Sequence, residues 1–152
     1  MQYRSVDAAQ SSNTRPPRET GHLAPPQLTK NQSVVLGALK ADSKPLSAYE
    51  ILDRDDVRTQ GLKAAVTIYR ALEKLTELGL VHRLETLNAY LPCCETGVHD
   101  EPASFLICEK CKRTVEVPLG NCVTHLMETG KGTGFEIDSV HVEMTGLCPD
   151  CR

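Results

Sequence analysis

Tryptophan is missing from this 152-residue sequence, and only two phenylalanines and four tyrosines accompany that absence. A large aromatic core is thereby excluded, and a small core often leans on a metal or another staple. No apolar run approaches the ~20 residues needed to cross a bilayer. The opening MQYRSVDAAQSSNTRPPRETG lacks the apolar stretch of a secretory leader. A cytoplasmic protein with no membrane partner is the expectation. HExxH, a Ser-His-Asp pattern and a glycine-rich phosphate loop are also missing, which argues against an enzyme and against a small-molecule substrate. There is no internal repeat, and no cysteine precedes Cys93.

What is present is distributed unevenly. The seven cysteines are an odd number, and in a reducing compartment they suit metal ligation better than disulfides. The net charge of −3 divides into two halves: residues 1–90 carry 12 Lys/Arg against 10 Asp/Glu, and residues 91–152 carry 5 against 10. A mildly basic half is followed by an acidic, cysteine-rich one, and only the first has a balance suited to nucleic acid.

Residues 1–26 are polar, hold four of the nine prolines and read as a flexible arm. In LTKNQSVVLGALKA, Thr29 and Gln32 have capping-box spacing, and Val35, Leu36 and Leu39 form an apolar face. Ser47 and Glu50 repeat that spacing and predict a second helix from about Ala48. A polar link containing Gly61 leads to a third helix, LKAAVTIYRALEKLTELG. Here Ala65, Ile68, Leu72 and Leu75 should face the core, while Lys63, Thr67, Arg70 and Lys74 share another face, and Gly79 is the stop. Two short apolar segments around a turn with Asn88 then predict a hairpin. Three helices and a hairpin over residues 27–91 are the order of a winged helix-turn-helix, whose last helix enters the DNA major groove. Residues 92–103 read as a hinge. Residues 104–152 predict strand, strand, helix, strand, with the helix ending before the turn of Gly130, Gly132 and Gly134. The expected fold class is α+β, a winged helix-turn-helix followed by a small α/β domain with a four-cysteine zinc site.

Cys108 and Cys111 form one CxxC and Cys148 and Cys151 another, with 36 residues between. Two residues between thiolates let both bind one ion from a tight turn, and two such turns complete a tetrahedral sulfur site. Four thiolates leave no open coordination position, so the predicted role is structural. A pair of redox-active dithiols is the alternative, without the βαβ context that would favour it.

The stretch AAVTIYRALEKLTELGLVHRLE resembles the recognition helix and wing entrance of the ferric uptake regulator family. The family's pattern stands here as Thr67-Ile68-Tyr69-Arg70, Leu72 and Gly79-Leu80-Val81-His82, and the two CxxC pairs match its structural zinc. The resemblance runs from about Gln27 to the end and is greatest to the zinc uptake regulator branch. It implies a dimeric, metal-dependent transcriptional regulator, usually a repressor. It also implies a second, regulatory metal held by His82 on the wing, Cys93 after it, His99 in the linker and Glu116 beyond the first CxxC. His99 lies two residues further from Cys108 than the family spacing implies, and Glu101 occupies that place. His99, Asp100 and Glu101 therefore remain alternatives for the linker ligand. The segment PCCETGVHDE supplies these donors. One sulfur, one or two imidazoles and a carboxylate suit zinc better than ferrous iron. Two zinc ions per chain are expected.

By the same resemblance Tyr69 and Arg70 are the base-reading residues. Arginine can contact guanine bidentately and tyrosine can meet a thymine methyl. Lys63, Thr67 and Lys74 lie on the same stripe, the lysines suited to phosphate. The expected partners are a second copy of the chain and double-stranded operator DNA with AT-rich inverted repeats. A sensor of iron, manganese or peroxide in the same family is the alternative. A zinc-stabilised interaction module or a thiol enzyme are rivals from other classes.

Overall fold

The computed structural model describes residues 26–93, 103–120, 122–137 and 140–152. The arm expected over residues 1–26, apart from Pro26, and most of the hinge expected over 92–103 lie outside them. Two helices begin where local spacing predicts. Helix α1 (Lys30–Lys40) starts with a reciprocal cap: the Thr29 N–H donates to Gln32 Oε1 at 2.8 Å and the Gln32 N–H to Thr29 Oγ1 at 3.4 Å. Helix α2 (Ala48–Asp53) repeats it, the Ser47 N–H donating to Glu50 Oε2 at 2.7 Å and the Glu50 N–H to Ser47 Oγ at 3.2 Å. Each box satisfies two donors that the helix cannot pair internally.

The expected polar link is in part a helix. Residues Asp55–Thr59 form α3, so among the described residues four helices precede the hairpin, where three were expected. No side-chain cap marks its start. Its tertiary support is the full burial of Val57 and the Arg54 contact to Asp42 at 3.4 Å, beside a local Arg54–Asp56 pair at 3.0 Å. Asp55 and Asp56 in the first turn also complement the helix dipole.

Helix α4 (Ala65–Glu77) buries Ile68, Ala71, Leu72 and Leu75. Ala65, expected in the core, is only half-buried in the first turn, and Ala71 joins the core instead. Lys63 precedes the helix. Gly79 ends it as expected, at φ +68°, with its N–H on the Thr76 carbonyl and the Leu80 N–H on the Leu75 carbonyl, both at 2.9 Å. That paired return satisfies carbonyls at the helix end, and the αL conformation favours glycine. Leu36, Leu39, Ile51, Val57, Ile68, Leu72 and Leu75 share one aliphatic core.

Strands β1 (Val81–Leu84) and β2 (Ala89–Pro92) form the predicted hairpin, with Val81 opposite Pro92 and Leu84 opposite Ala89. Asn88 takes φ +46° in the turn, a conformation asparagine tolerates. Leu46 and Tyr90 exchange backbone bonds of 2.9 and 2.8 Å, adding a bridge that fastens the hairpin to the α1–α2 connection.

Beyond the hinge, β3 (Ser104–Cys108) lies between antiparallel β4 (Thr114–Val117) and parallel β5 (Val142–Gly146). Helix α5 (Cys122–Lys131) supplies the crossover and runs through Gly130 instead of ending before it. A Cβ at Gly130 would collide with the Ile137 side chain, so the glycine lets the following chain return over the helix.

Strand alternation makes the hairpin a layer with two interior faces. Val81 and Tyr90 point into the helical core. Leu84 and, less deeply, Leu91 pack with Phe105 and Ile107 of the three-stranded sheet.

Candidate metal centres and nucleic-acid face

The parallel pairing of β3 with β5 brings the distant CxxC pairs together. Cys108 is opposite Gly146 in the ladder, two residues before Cys148. The Glu109 N–H donates to the Gly146 carbonyl at 2.8 Å, joining the first turn to the end of β5. In that turn the Lys112 N–H returns to the Cys108 carbonyl at 2.9 Å, with Lys112 at φ +62°. In the second, the Cys151 N–H returns to the Cys148 carbonyl at 2.9 Å. Arg113 and Asp150 pair across the two turns at 3.1 Å, an exposed contact of little energetic weight.

The ligand atoms of Cys108, Cys111, Cys148 and Cys151 all lie within 4.8 Å of one another. Cys111 Sγ and Cys148 Sγ are 3.7 Å apart. A tetrahedron with metal–sulfur bonds of ~2.3 Å has sulfur–sulfur edges of ~3.8 Å, so this pair already has the spacing zinc requires. Backbone N–H groups of Cys111 and Cys148 hold the Cys108 thiol down to about 6, despite the opposing effect of burial. The Cys151 thiol, donating to the Cys148 and Cys111 sulfurs, is pushed up to about 12. Four sulfurs this close resist collective ionisation until a cation neutralises them, and a bound divalent metal provides that neutralisation.

Among the described residues no second group of donors converges as the four cysteines do; strand alternation instead places His82, Cys93 and Glu116 on the facing sides of hairpin and sheet. His82 is opposite Leu91 in the hairpin, and the Cys93 N–H extends the ladder to the Leu80 carbonyl at 2.9 Å. Cys93 therefore shares a face with Leu91 and His82, as a diagonal neighbour of the histidine. That face is the one turned to the sheet. The His82 and Phe105 rings lie 5.3 Å apart at 58°, and His82 Nε2 is shielded from solvent. Glu116 is directly opposite Phe105 in the β3–β4 ladder, so its side chain leaves the sheet on the same side. His82, Cys93 and Glu116 are each half-buried. His99, Asp100 and Glu101 lie outside the described residues.

The outer face of α4 carries Thr67, Tyr69 and Arg70 of the predicted DNA-reading set, and Lys63 lies just before the helix. Arg70 and Lys63 are exposed, Tyr69 is 38% exposed and Thr67 is half-buried. Lys74 is not an isolated cation, since its Nζ pairs with Glu77 at 2.8 Å. Sequence reasoning missed Tyr49 on α2. It is 62% exposed and meets Tyr69 edge-on, the centroids 6.4 Å apart. An aromatic in the first turn of a capped helix, outside the apolar stripe, was the signal.

A family model described as the ferric uptake regulator family matches residues 26–145. The chain belongs to the ferric uptake regulator family. The zinc uptake regulation protein of Escherichia coli K12 is 31% identical over 129 residues, covering 82% of this chain and 72% of that protein. Among solved structures, a holo form of XcZur superposes with a TM-score of 0.72 at 34% identity, covering 82% of this chain and 85% of that one. A zinc uptake regulator complexed with zinc and DNA superposes at 0.74, with 27% identity and 82% of both chains covered. These are zinc-regulator members of the family, and their fold is the α+β arrangement expected for this chain: the winged helix-turn-helix and the small sheet domain that carries the four-cysteine cluster.

Proposed function

We propose that this chain is a zinc-responsive transcriptional repressor, acting as a homodimer in the cytoplasm on AT-rich inverted-repeat operators of metal-uptake genes. Residues 27–91 would form the DNA-binding domain, 92–103 the hinge and 104–152 the dimerisation domain, behind an arm of residues 1–26. Cys108, Cys111, Cys148 and Cys151 would hold a structural zinc. His82, Cys93, Glu116 and one of His99, Asp100 and Glu101 would hold a second, exchangeable one. The observation that carries this reading is the shared hairpin face: His82 and Cys93 look onto the sheet side that bears Phe105 and Glu116. Zinc bound among them would supply directed bonds crossing from wing to sheet. His82 and Cys93 would thereby fix the recognition helix relative to the dimer, and so the spacing at which two helices meet successive half-sites. A relative complexed with zinc and DNA supports a role in which zinc and DNA binding go together.

A second copy is supported by apolar surface that one chain leaves uncovered. Helix α5 buries none of its described residues, and Leu126 on it is 48% exposed. Val115, Leu106 and Met144 stand in register as one exposed row across the sheet, beside a cavity of about 290 Å³ that Leu147 also lines. Contiguous patches of this kind mark association surfaces. Leu106→Glu is expected to shift the chain from dimer to monomer in sedimentation equilibrium. A dimer of unchanged affinity would place the interface elsewhere.

The function is tested by gel shift against an AT-rich inverted repeat, with zinc, ferrous iron, manganese or chelator. Zinc should give the tightest complex and chelator should abolish it; a complex indifferent to metal would refute the reading. In the same assay Arg70→Ala should weaken operator binding by ~1–3 kcal/mol, the usual worth of a bidentate base contact, while zinc content stays unchanged. Full retention of affinity would remove Arg70 from the base-reading set.

A further inference from the structure

The tip of the hairpin is tied to the sheet by a contact that involves no metal donor. Glu143 on β5 accepts the Glu85 N–H at 2.7 Å and the Thr86 N–H at 2.9 Å, across 58 and 57 residues of sequence. The Thr86 hydroxyl joins them. The turn closes on itself through the Glu85 carbonyl, which accepts the Asn88 N–H at 3.2 Å, and this leaves the two consecutive amides for an outside acceptor. Successive N–H groups of a turn are a ready anion site. The carboxylate of Glu85 does not compete, being paired with Arg83 at 3.1 Å. Burial alone would raise the Glu143 carboxyl, yet the Thr86 hydroxyl and the amides of Thr86 and Glu85, with His141 nearby, hold it below the usual range.

The position of this contact gives it a purpose. Glu143 is opposite Phe105 in the β3–β5 ladder, on the far side from Glu116, and Phe105 carries the His82 ring. The latch sits at the turn end of the hairpin, whereas Cys93 lies past its open end. A layer fastened at its tip can swing less at its base.

We propose that Glu143 is a positioning residue for the second metal site: by capping the Glu85 and Thr86 amides it holds the wing against the sheet, so that His82 and Cys93 face Glu116 before an ion arrives. Preorganised ligands bind more tightly because less freedom is lost on binding. This inference rests on the two-site reading above, and its test separates the two.

The full-length chain is compared as parent, Glu143→Ala and Glu143→Gln. Amide exchange at Glu85 and Thr86 is read by NMR, and zinc affinity of the weaker site by chelator competition with zinc alone. Glu143→Ala should speed both amides and weaken that site about tenfold, as expected for losing hydrogen bonds to a charged acceptor. The tighter zinc should be retained. Glu143→Gln, which keeps one acceptor oxygen, should recover part of the loss. Unchanged exchange in Glu143→Ala would overturn the latch. Faster exchange with zinc affinity within twofold of the parent would overturn the positioning role. A parent chain that takes up a single zinc would overturn the two-site reading instead, and its amide exchange would still decide the latch.

Discussion

Cys148→Ser is expected to unfold the chain from Ser104 onward while the helical core stays folded. Structural zinc contributes on the order of 10 kcal/mol to folding in small domains. The core available to replace it is slight: Phe105 and Ile107, with Leu84 of the hairpin, are the buried members of that cluster. At ~1.5–3 kcal/mol for each buried side chain, three residues cannot offset the entropy of ordering some tens of residues at ~1–2 kcal/mol each. Cys148 matters most because its N–H also bonds Cys108 Sγ at 3.4 Å and its carbonyl accepts the Cys151 and Arg152 amides. The measurement is an amide correlation spectrum with zinc analysis. Resonances of β3, β4 and β5 should collapse while those of α1 and α4 persist, and the tightly held zinc should vanish. A chelator strong enough to strip the parent should reproduce that spectrum. A variant that kept its sheet resonances and its metal would show that the four-cysteine cluster is not what holds this part together.

The second large effect concerns regulation rather than folding. His82→Ala and Cys93→Ser are each expected to lower zinc-dependent operator affinity by ~100-fold, about 2.7 kcal/mol of coupling, with the four-cysteine zinc still bound. The size follows from populations. When only a small fraction of hairpin orientations allows both recognition helices of a dimer to dock, apparent affinity falls by that fraction. Parent chain should bind two zinc ions and either variant one. Coupling is reciprocal, so operator DNA should tighten the weaker zinc site of the parent by the same factor and do nothing in the variants. Calorimetric zinc titration with and without operator, alongside fluorescence anisotropy for DNA, reads both sides. Zinc-dependent binding that survived both substitutions would detach His82 and Cys93 from control.

How much of this was legible beforehand depends on the reach of the interactions. Thr29 with Gln32 and Ser47 with Glu50 predict helix starts because each cap closes over three residues, and Gly79 predicts a stop because only the local backbone angle is at issue. The CxxC spacings predict thiolate turns for the same reason. Helix α3 escaped because it has no side-chain cap and depends on burying Val57 in a core assembled from α1, α2 and α4. Tyr49 escaped because its meeting with Tyr69 requires two helices to be packed first.

The sequence by itself determined the repertoire: capped helices, a hairpin turning at Asn88, two thiolate turns and a stripe of Tyr69 and Arg70 on an exposed helix face. Each rests on residues a few positions apart, whose hydrogen bonds form or fail locally. Only the tertiary structure decided that β5 runs parallel to β3 and so delivers Cys148 to Cys108. It alone turned the hairpin into a layer with two buried faces, putting His82 and Cys93 toward the side of Glu116, and closed Glu143 on the wing tip from 57 residues away. Those pairings are set by which apolar faces bury against each other, and no short window of sequence contains both partners.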